Sequence, residues 1–202
     1  AEVARPVASA GNTPAERPVD EHLEVEVGGG EFVQLADLID GKLAGDDDPP
    51  YAELVRSLFG VKPTTFRNTE LIYSDAIGQQ VCKMGFKTML TEGARHIMGW
   101  KSPNYVYTDE LQPKLKLLLR NYSLSDDIAF RFSDRNWDAW PLTAEKFTGW
   151  LSDAEGDIVN LFMDYETFGE HQSVDSGIFD FMAALPRTVL AGGGFDFRTP
   201  SE

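Results

Sequence analysis

One short segment in the second half of this 202-residue chain carries four ionisable side chains. Asp164, Glu166, Glu170 and His171 fall within eight residues, directly after an apolar run at 158–163. That run is short and begins with β-branched side chains, which predicts a buried strand. Ionisable groups crowded at the end of a strand alter one another's proton affinities, and such clusters are enriched at catalytic sites. The alternative interpretation is an acidic surface loop without a catalytic role.

A second carboxylate, Glu92, follows another predicted strand at 86–91. From Tyr51 onward, predicted helices alternate with predicted strands, which favours an α/β fold with mainly parallel strands covered by helices. Parallel strands place their loops and functional groups at their C-terminal ends. We therefore expect Glu92 and Asp164 to lie at one edge of the sheet. The other predicted strands are 64–67 and 115–119, and the predicted helices are 51–60, 74–85, one opening at Thr143, and 178–185.

Two carboxyl groups at neighbouring strand ends suit the hydrolysis of a glycosidic bond. One group protonates the leaving oxygen, and the other attacks the anomeric carbon or activates water. Retention of the anomeric configuration requires a separation of about 5–5.5 Å. Adjacent parallel strands can supply that separation.

Ordered segments of the chain resemble the α-amylase-like branch of glycoside hydrolase family 57. The most specific are Met-Asp-Tyr-Glu-Thr-Phe-Gly-Glu-His at 163–171 and Met-Gly-Phe-Lys-Thr-Met-Leu-Thr-Glu-Gly at 84–93, joined by 66–73, 99–107 and 126–133. The resemblance covers about residues 51–202. It implies Glu92 as the nucleophile, Asp164 as the general acid/base, and retaining cleavage or transfer at α-glucosidic bonds. It also implies a distorted (β/α)7 barrel, here partial, without a metal cofactor.

Other side chains are candidates for substrate binding. Arg67 and Glu70 follow a predicted strand and could line the cleft. Trp100 and Trp137 offer flat apolar faces on which pyranose rings could stack, as does Trp140, although single aromatic residues more often belong to a core. His171 could bind a sugar hydroxyl, orient Asp164, or equally make a structural hydrogen bond. Glu166 could act on Asp164 by like-charge repulsion if it lies close enough.

The N-terminal quarter departs from the family pattern. Residues 1–50 contain a Pro-rich stretch that predicts a flexible tail, an alternating strand at 23–27, and a helical turn at 32–39. No His-Gln-Pro tripeptide, which the family carries on its first strand, occurs in the sequence, and the family's C-terminal helical region has no counterpart before Glu202. We expect the chain to be the catalytic middle of a longer enzyme, or a shortened relative. Residues 1–50 are predicted to cover the exposed sheet edge, which would otherwise favour self-association or pairing with missing parts.

Composition narrows the possible partners. The chain has 42% hydrophobic residues, 25% charged residues and a formal net charge of -15. This acidity disfavours nucleic acids and anionic membranes as partners, but is compatible with a neutral α-glucan or maltooligosaccharide. Cys82 is the single cysteine and is predicted to be a buried, inert thiol. No apolar run reaches the length of a membrane span, and we expect a cytoplasmic location.

Two other functions are compatible with the same residues. Asp164, Glu166 and His171 could ligate a metal in a metal-dependent hydrolase. Alternatively, the chain could be a carbohydrate-binding relative that kept the cleft and lost turnover. The presence of both Glu92 and Asp164 argues against the second alternative.

Overall fold

The computed structural model describes residues 24–27, 31–34 and 50–202. The chain divides into two compact units. The first comprises residues up to Glu92 together with Val106–Leu118, and the second comprises Gly93–Tyr105 together with Leu119–Pro200. Within 24–27, 31–34 and 50–202, no helix is long and apolar enough to cross a membrane.

The described part of the N-terminal region is a β-hairpin. Strand β1 (Glu24–Val27) pairs antiparallel with β2 (Glu31–Gln34), with Val25 opposite Val33. The strand predicted at 23–27 is confirmed. The helical turn predicted at 32–39 is wrong at its start, because Glu31–Gln34 is a strand that pairs with β1. The remaining predictions for 1–50, including the tail, lie outside the described residues.

A four-stranded sheet forms the centre of the first unit and has the order β3–β4–β6–β5. Strand β3 (Thr65–Arg67) runs parallel to β4 (Thr88–Glu92), with Arg67 opposite Leu90. Strand β5 (Tyr107–Thr108) pairs antiparallel with β6 (Lys116–Arg120), which continues into the second unit after Leu118. The predicted α/β class is confirmed as a mixed sheet with flanking helices. The two-residue β5 was not predicted, since it is too short to show an apolar period.

The helices begin and end where local chemistry requires. The Ser74 hydroxyl accepts a hydrogen bond from Ile77 N, and the Thr143 hydroxyl accepts one from Lys146 N, so both residues cap the helices they precede. Gly60, with φ +73°, follows the first helix at a conformation that favours glycine. The helices are α1 (Pro50–Phe59), α2 (Asp75–Lys83), α3 (Arg95–Met98), α4 (Tyr122–Ala129), α5 (Ala144–Asp153) and α6 (Ile178–Ala191).

The second unit is built around one apolar cluster. Phe147 of α5 and Phe181 of α6 meet edge to face with ring centroids 5.9 Å apart, and Phe132 contacts Phe181 from the far side at 5.2 Å. Phe147 and Ile178 are completely buried. Burying a side chain of this size stabilises a fold by about 1.5–3 kcal/mol, so α5 and α6 hold this unit together.

A buried polar cluster lies in the first unit. Asp109 is fully buried, and its carboxylate accepts hydrogen bonds from Gln112 N at 2.6 Å and from the Tyr73 hydroxyl at 2.8 Å. Burial, followed by the hydrogen bonds to Asp75 and Asp109, raises the pKa of Tyr73 far above its ordinary value. Gly78 of α2 leaves the space in which the Asp109 carboxylate lies.

Cys82 is half-buried, not fully buried as the sequence predicted.

The segment 158–163 is not the buried strand that its apolar pattern predicts. It makes a single parallel bridge, between Asn160 and Arg120, and only Asn160 within it is buried. Ile158 N donates to the Asn104 backbone carbonyl, and side chains supply the bonds at Phe162: Ser125 Oγ accepts from Phe162 N at 3.2 Å, and Arg120 Nε donates to Phe162 O at 2.7 Å. These contacts take the place of a strand ladder, which explains why an extended segment here lacks regular pairing.

Candidate active site

Glu92 is the last residue of β4, at the C-terminal end of a strand that pairs with β3 on one side and has β6 as its other neighbour. Its side chain is half-buried, and one carboxylate oxygen, Oε1, is shielded from solvent. The preceding Thr91 is buried, and its hydroxyl donates to Leu71 O at 3.0 Å. The backbone hydrogen bonds of the strand fix the position from which the Glu92 carboxylate projects, and the Thr91 hydroxyl ties the strand to Leu71.

Arg67 and Glu70 lie close to Glu92 in the first unit. Arg67 ends β3 opposite Leu90, so it is at the same end of the sheet as Glu92. The chain then turns through Glu70 and Leu71, which both have positive φ, 52° and 53°. Non-glycine residues in this conformation cost free energy and cluster at functional sites. Asn68 is buried and donates to Ile72 O at 3.2 Å, which holds the strained turn and leaves Glu70 exposed.

The acidic loop, residues 164–172, is a compact turn within the second unit. Backbone bonds close it: His171 N donates to Glu166 O at 2.8 Å, and Gln172 N donates to Thr167 O at 3.0 Å. Thr167 and Gln172 are buried, and Gln172 Nε2 donates to Ala129 O at 2.9 Å. The side chains of Asp164, Glu166 and His171, together with that of Glu170, are exposed. The loop is therefore anchored by its neutral residues and presents its ionisable residues outward.

Asn104 fixes the chain that leads into this loop. It is buried, and its backbone carbonyl accepts hydrogen bonds from Asp157 N at 2.9 Å and Ile158 N at 3.1 Å. Its side-chain amide donates to Glu155 O at 3.1 Å and accepts from Asn121 Nδ2 at 3.0 Å. Gly156 is required beside it, because a Cβ there would collide with the Asn104 carbonyl. Asn104 thus joins three segments of the second unit at one point.

The aromatic candidates differ in their surroundings. Trp100 is 93% exposed, so its ring is accessible for stacking. Trp137 is half-buried and meets Trp150 edge to face at 5.9 Å, and the guanidinium of Arg131 lies 5.8 Å from its ring centroid. This packing favours a structural role for Trp137. Trp140 lies 41% exposed at the surface of the second unit.

The comparisons with known proteins identify the family. The sequence model of the family described as "Glycosyl hydrolase family 57" matches residues 50–202. The chain belongs to glycosyl hydrolase family 57. It is also 49% identical over 141 residues to a protein of Methanocaldococcus jannaschii named "Putative alpha-amylase". The matched stretch is 70% of this chain but 30% of that relative, so the chain spans about a third of the relative's length. The motif resemblance that led to this family is confirmed.

The family 57 chain presents its candidate residues in two groups. Arg67, Glu70 and Glu92 belong to the first unit, and Asp164, Glu166, His171 and the tryptophans belong to the second. In the part of the chain that the structure describes, no three His, Cys, Asp or Glu side chains converge closely enough to hold a metal ion. Asp164, Glu166 and His171 therefore do not form such a group.

The sequence patterns did not reveal several residues that shape this family 57 chain. Asn104 and Asn121 carried no periodic or motif signal of their own, although an asparagine before Tyr122–Ala129 is a recognisable helix cap. Tyr165, beside Asp164, is 95% exposed and offers another accessible ring. Arg120 donates both to Phe162 O and to the Asp126 carboxylate, the latter at 2.5 Å. These roles depend on contacts between residues distant in sequence.

Proposed function

We propose that this chain forms the catalytic part of a retaining enzyme that cleaves or transfers α-glucosidic bonds, with Glu92 as nucleophile and Asp164 as general acid/base. The observation that carries the proposal is the family 57 match across the segments that hold both carboxylates. The name of the 49% identical relative supports an α-glucan substrate. A 4-α-glucanotransferase would use the same first step and differ only in the acceptor.

The position of each carboxylate supports its proposed role. A nucleophile must be held in line with the anomeric carbon, and Glu92 projects from the end of a hydrogen-bonded strand. A general acid/base must reach the leaving oxygen and then water, and Asp164 is exposed on the acidic loop. The mechanism requires the two carboxyl groups to approach to about 5–5.5 Å, which stays a prediction.

The architecture proposed with this function is a partial, distorted (β/α)7 barrel. The parallel β3–β4 pair and the parallel bridge between Arg120 and Asn160 support it. Arg67, Glu70, Trp100, Glu166 and His171 are proposed to contact the substrate, with Trp137 as a weaker candidate because of its packing. A cytoplasmic location and pairing with further polypeptide stay predictions.

The deciding experiment traps the glycosyl-enzyme in the longest active polypeptide that contains this chain. With 5-fluoro-α-glucosyl fluoride, intact-mass spectrometry should detect one added glycosyl group, and peptide mapping should place it on Glu92. Glu92→Gln should abolish the adduct, because an amide is a poor nucleophile. Binding of maltooligosaccharides without any adduct would instead support the non-catalytic, carbohydrate-binding alternative.

Azide separates the two roles. Asp164→Ala should hydrolyse an aryl glycoside about 10²–10⁴-fold more slowly, because no group activates water for the second step. Azide requires no general base, so it should restore turnover in Asp164→Ala and give an α-glycosyl azide. In Glu92→Ala, azide attacks the substrate directly and should give the β-anomer. An α-product from Glu92→Ala, with no rescue of Asp164→Ala, would reverse the assignment.

A further inference from the structure

The second unit contains a cavity of about 460 Å³ that is separate from the acidic loop. Its walls are the segment 93–105, the N-terminal turn of α4 and the C-terminal turn of α5, which all belong to that unit. Small-molecule pockets in proteins have volumes of about 300–1,000 Å³ and are mostly formed before the ligand arrives. The cavity has the size of a ligand site.

Hydrogen bonds and close packing fix the cavity walls. Asn104 and Asn121 line the cavity, and the bond between their amides joins the first wall to α4. Gly93 also lines it, and a Cβ at this position would lie 2.9 Å from Pro103 Cβ and would collide with the backbone carbonyl of Arg120. Rigid walls reduce the ordering cost of binding, so a ligand gains more from each contact.

The side chains that line the cavity are of mixed chemistry. Met98 and Trp150 provide apolar surface. Arg95 and Lys101 are positively charged hydrogen-bond donors, and the Asp153 carboxylate is an acceptor. A hydrogen bond with Ser123, followed by one with Arg95, lowers the pKa of Tyr122, so the phenol and the guanidinium are adjacent.

A sugar ring matches this combination better than an anion does. A pyranose has apolar C–H faces and hydroxyls that both donate and accept, which suits Trp150 beside Arg95 and Asp153. A phosphate would pair with Arg95 and Lys101, but it would meet the negative charge of Asp153. It would also leave the apolar surface of the cavity unused, in a chain whose net charge is -15.

We infer that this cavity binds one glucosyl unit of a neutral α-glucan, as a subsite other than those that hold the bond to be cleaved. The inference rests on the proposed function for its ligand class. The wall begins at Gly93, the residue that directly follows the proposed nucleophile Glu92. The subsite would strengthen the binding of long glucans more than that of short ones.

Binding to an inactive protein tests the inference without turnover. In the Glu92→Gln background, isothermal titration calorimetry with maltoheptaose should give about tenfold weaker binding for Arg95→Ala and for Asp153→Ala, because each loses a charged hydrogen-bonding group. Tyr122→Phe should weaken binding less. Matched controls on α6, Arg187→Ala and Asp180→Ala, remove exposed charges outside the cavity and should leave the affinity unchanged.

A short substrate distinguishes failure of the subsite from failure of the proposed function. Trapping with 5-fluoro-α-glucosyl fluoride should proceed at the parent rate in Arg95→Ala and Asp153→Ala, while kcat/KM for maltoheptaose falls about tenfold. If the parent chain forms no adduct, the proposed function fails, yet calorimetry in Glu92→Gln still tests the cavity. Asp153→Asn keeps the shape of the side chain and is the second variant to use if Asp153→Ala does not fold. Each variant should keep the unfolding midpoint of the parent protein.

Three results would overturn the inference. They are equal maltoheptaose affinities in the cavity and control variants, no maltoheptaose binding at all, and binding of glucose 6-phosphate without binding of maltoheptaose. The last result would assign the cavity to an anionic ligand held by Arg95.

Discussion

The two units hold their proposed catalytic carboxylates by different means. In the first unit, Glu92 ends a strand that lies between β3 and β6, and backbone hydrogen bonds set its position. In the second unit, Asp164 follows an extended segment with one bridge and few backbone bonds. The side chains of Arg120, Ser125 and Asn160 make the bonds nearest to Asp164. Backbone bonds do not depend on residue type, whereas side-chain bonds do. Single substitutions should therefore displace Asp164 more readily than Glu92.

The largest effect on stability is expected at Asn104, where three segments of the second unit meet. Asn104→Ala removes the side-chain bonds to Glu155 O and Asn121, and leaves the buried Asn121 amide without its acceptor. We expect a loss of about 2–3 kcal/mol in the free energy of unfolding, measured by urea denaturation. Hydrogen exchange should locate the added mobility at 155–162.

Asn136→Ala is the matched control for that substitution. Asn136 is exposed, and the same amide is removed there, so we expect a change within about 0.5 kcal/mol. Equal losses in the two variants would show that Asn104 does not organise the second unit, and the contrast between the units would then lose its main support.

The elements that could be predicted from the sequence are those with a period or a cap. Helices α2 and α5 followed from the caps Ser74 and Thr143, and the strand predicted at 86–91 is β4. The same reasoning was wrong for 158–163, because an apolar run reports an extended, partly buried chain but not which groups satisfy its hydrogen bonds. Here distant side chains satisfy them.

Two helical glycines test how tightly each unit is packed. A methyl group at Gly78 would collide with the Asp109 carboxylate, which Tyr73 and Gln112 hold in place, whereas nothing lies within 4 Å of the corresponding position at Gly149. Gly78→Ala should therefore lower the free energy of unfolding by about 2 kcal/mol. Gly149→Ala should raise it by about 1 kcal/mol through helix propensity.

Thermal unfolding with both glycine variants measures the difference directly. The opposite signs are the critical result, since helix propensity alone predicts stabilisation at both sites. If Gly78→Ala is also stabilising, the buried Asp109 cluster must be able to move, and the first unit is less rigid than its hydrogen bonds indicate.

Removing one hydroxyl group from each unit compares how the two proposed catalytic carboxylates are supported, because the expected loss of stability is the same in both units. Thr91→Val removes the bond to Leu71 O, and Ser125→Ala removes the bond to Phe162 N. Each should lower the free energy of unfolding by about 1 kcal/mol. If the proposed roles are right, Ser125→Ala should also slow the cleavage of substrates that need protonation, while Thr91→Val should leave trapping at Glu92 unchanged. Equal catalytic losses would contradict the distinction between backbone and side-chain support.

The candidate site was predictable only to the level of its residue types. Arg67 and Glu70 were predicted only as residues that follow a strand, and the parallel pairing of β3 with β4 puts Arg67 at the same end of the sheet as Glu92. Three features could not be predicted, because each depends on contacts that only the folded chain makes. They are the strained conformation of Glu70, the meeting of three segments at Asn104 and the cavity beside Gly93.

The smallest effect should come from Asp127, one of the charged supports of the second unit. Burial raises the pKa of this carboxyl, although the hydrogen bond from Arg131 at 2.6 Å opposes the rise. Because the pKa of Asp127 is raised in the folded state, the folded chain holds a proton there more often than the unfolded chain does at pH values above about 3.9. Stability should therefore decline as the pH rises from about 4 through the folded-state pKa, and Asp127→Asn should remove this decline. Urea titrations between pH 4 and pH 7 and carboxyl ¹³C NMR measure both quantities, with exposed Asp134→Asn as the control. If the Asp127 carboxyl instead titrates below the ordinary aspartate range, the ion pair with Arg131 outweighs the effect of burial. Asp127 would then support the second unit without a net desolvation penalty.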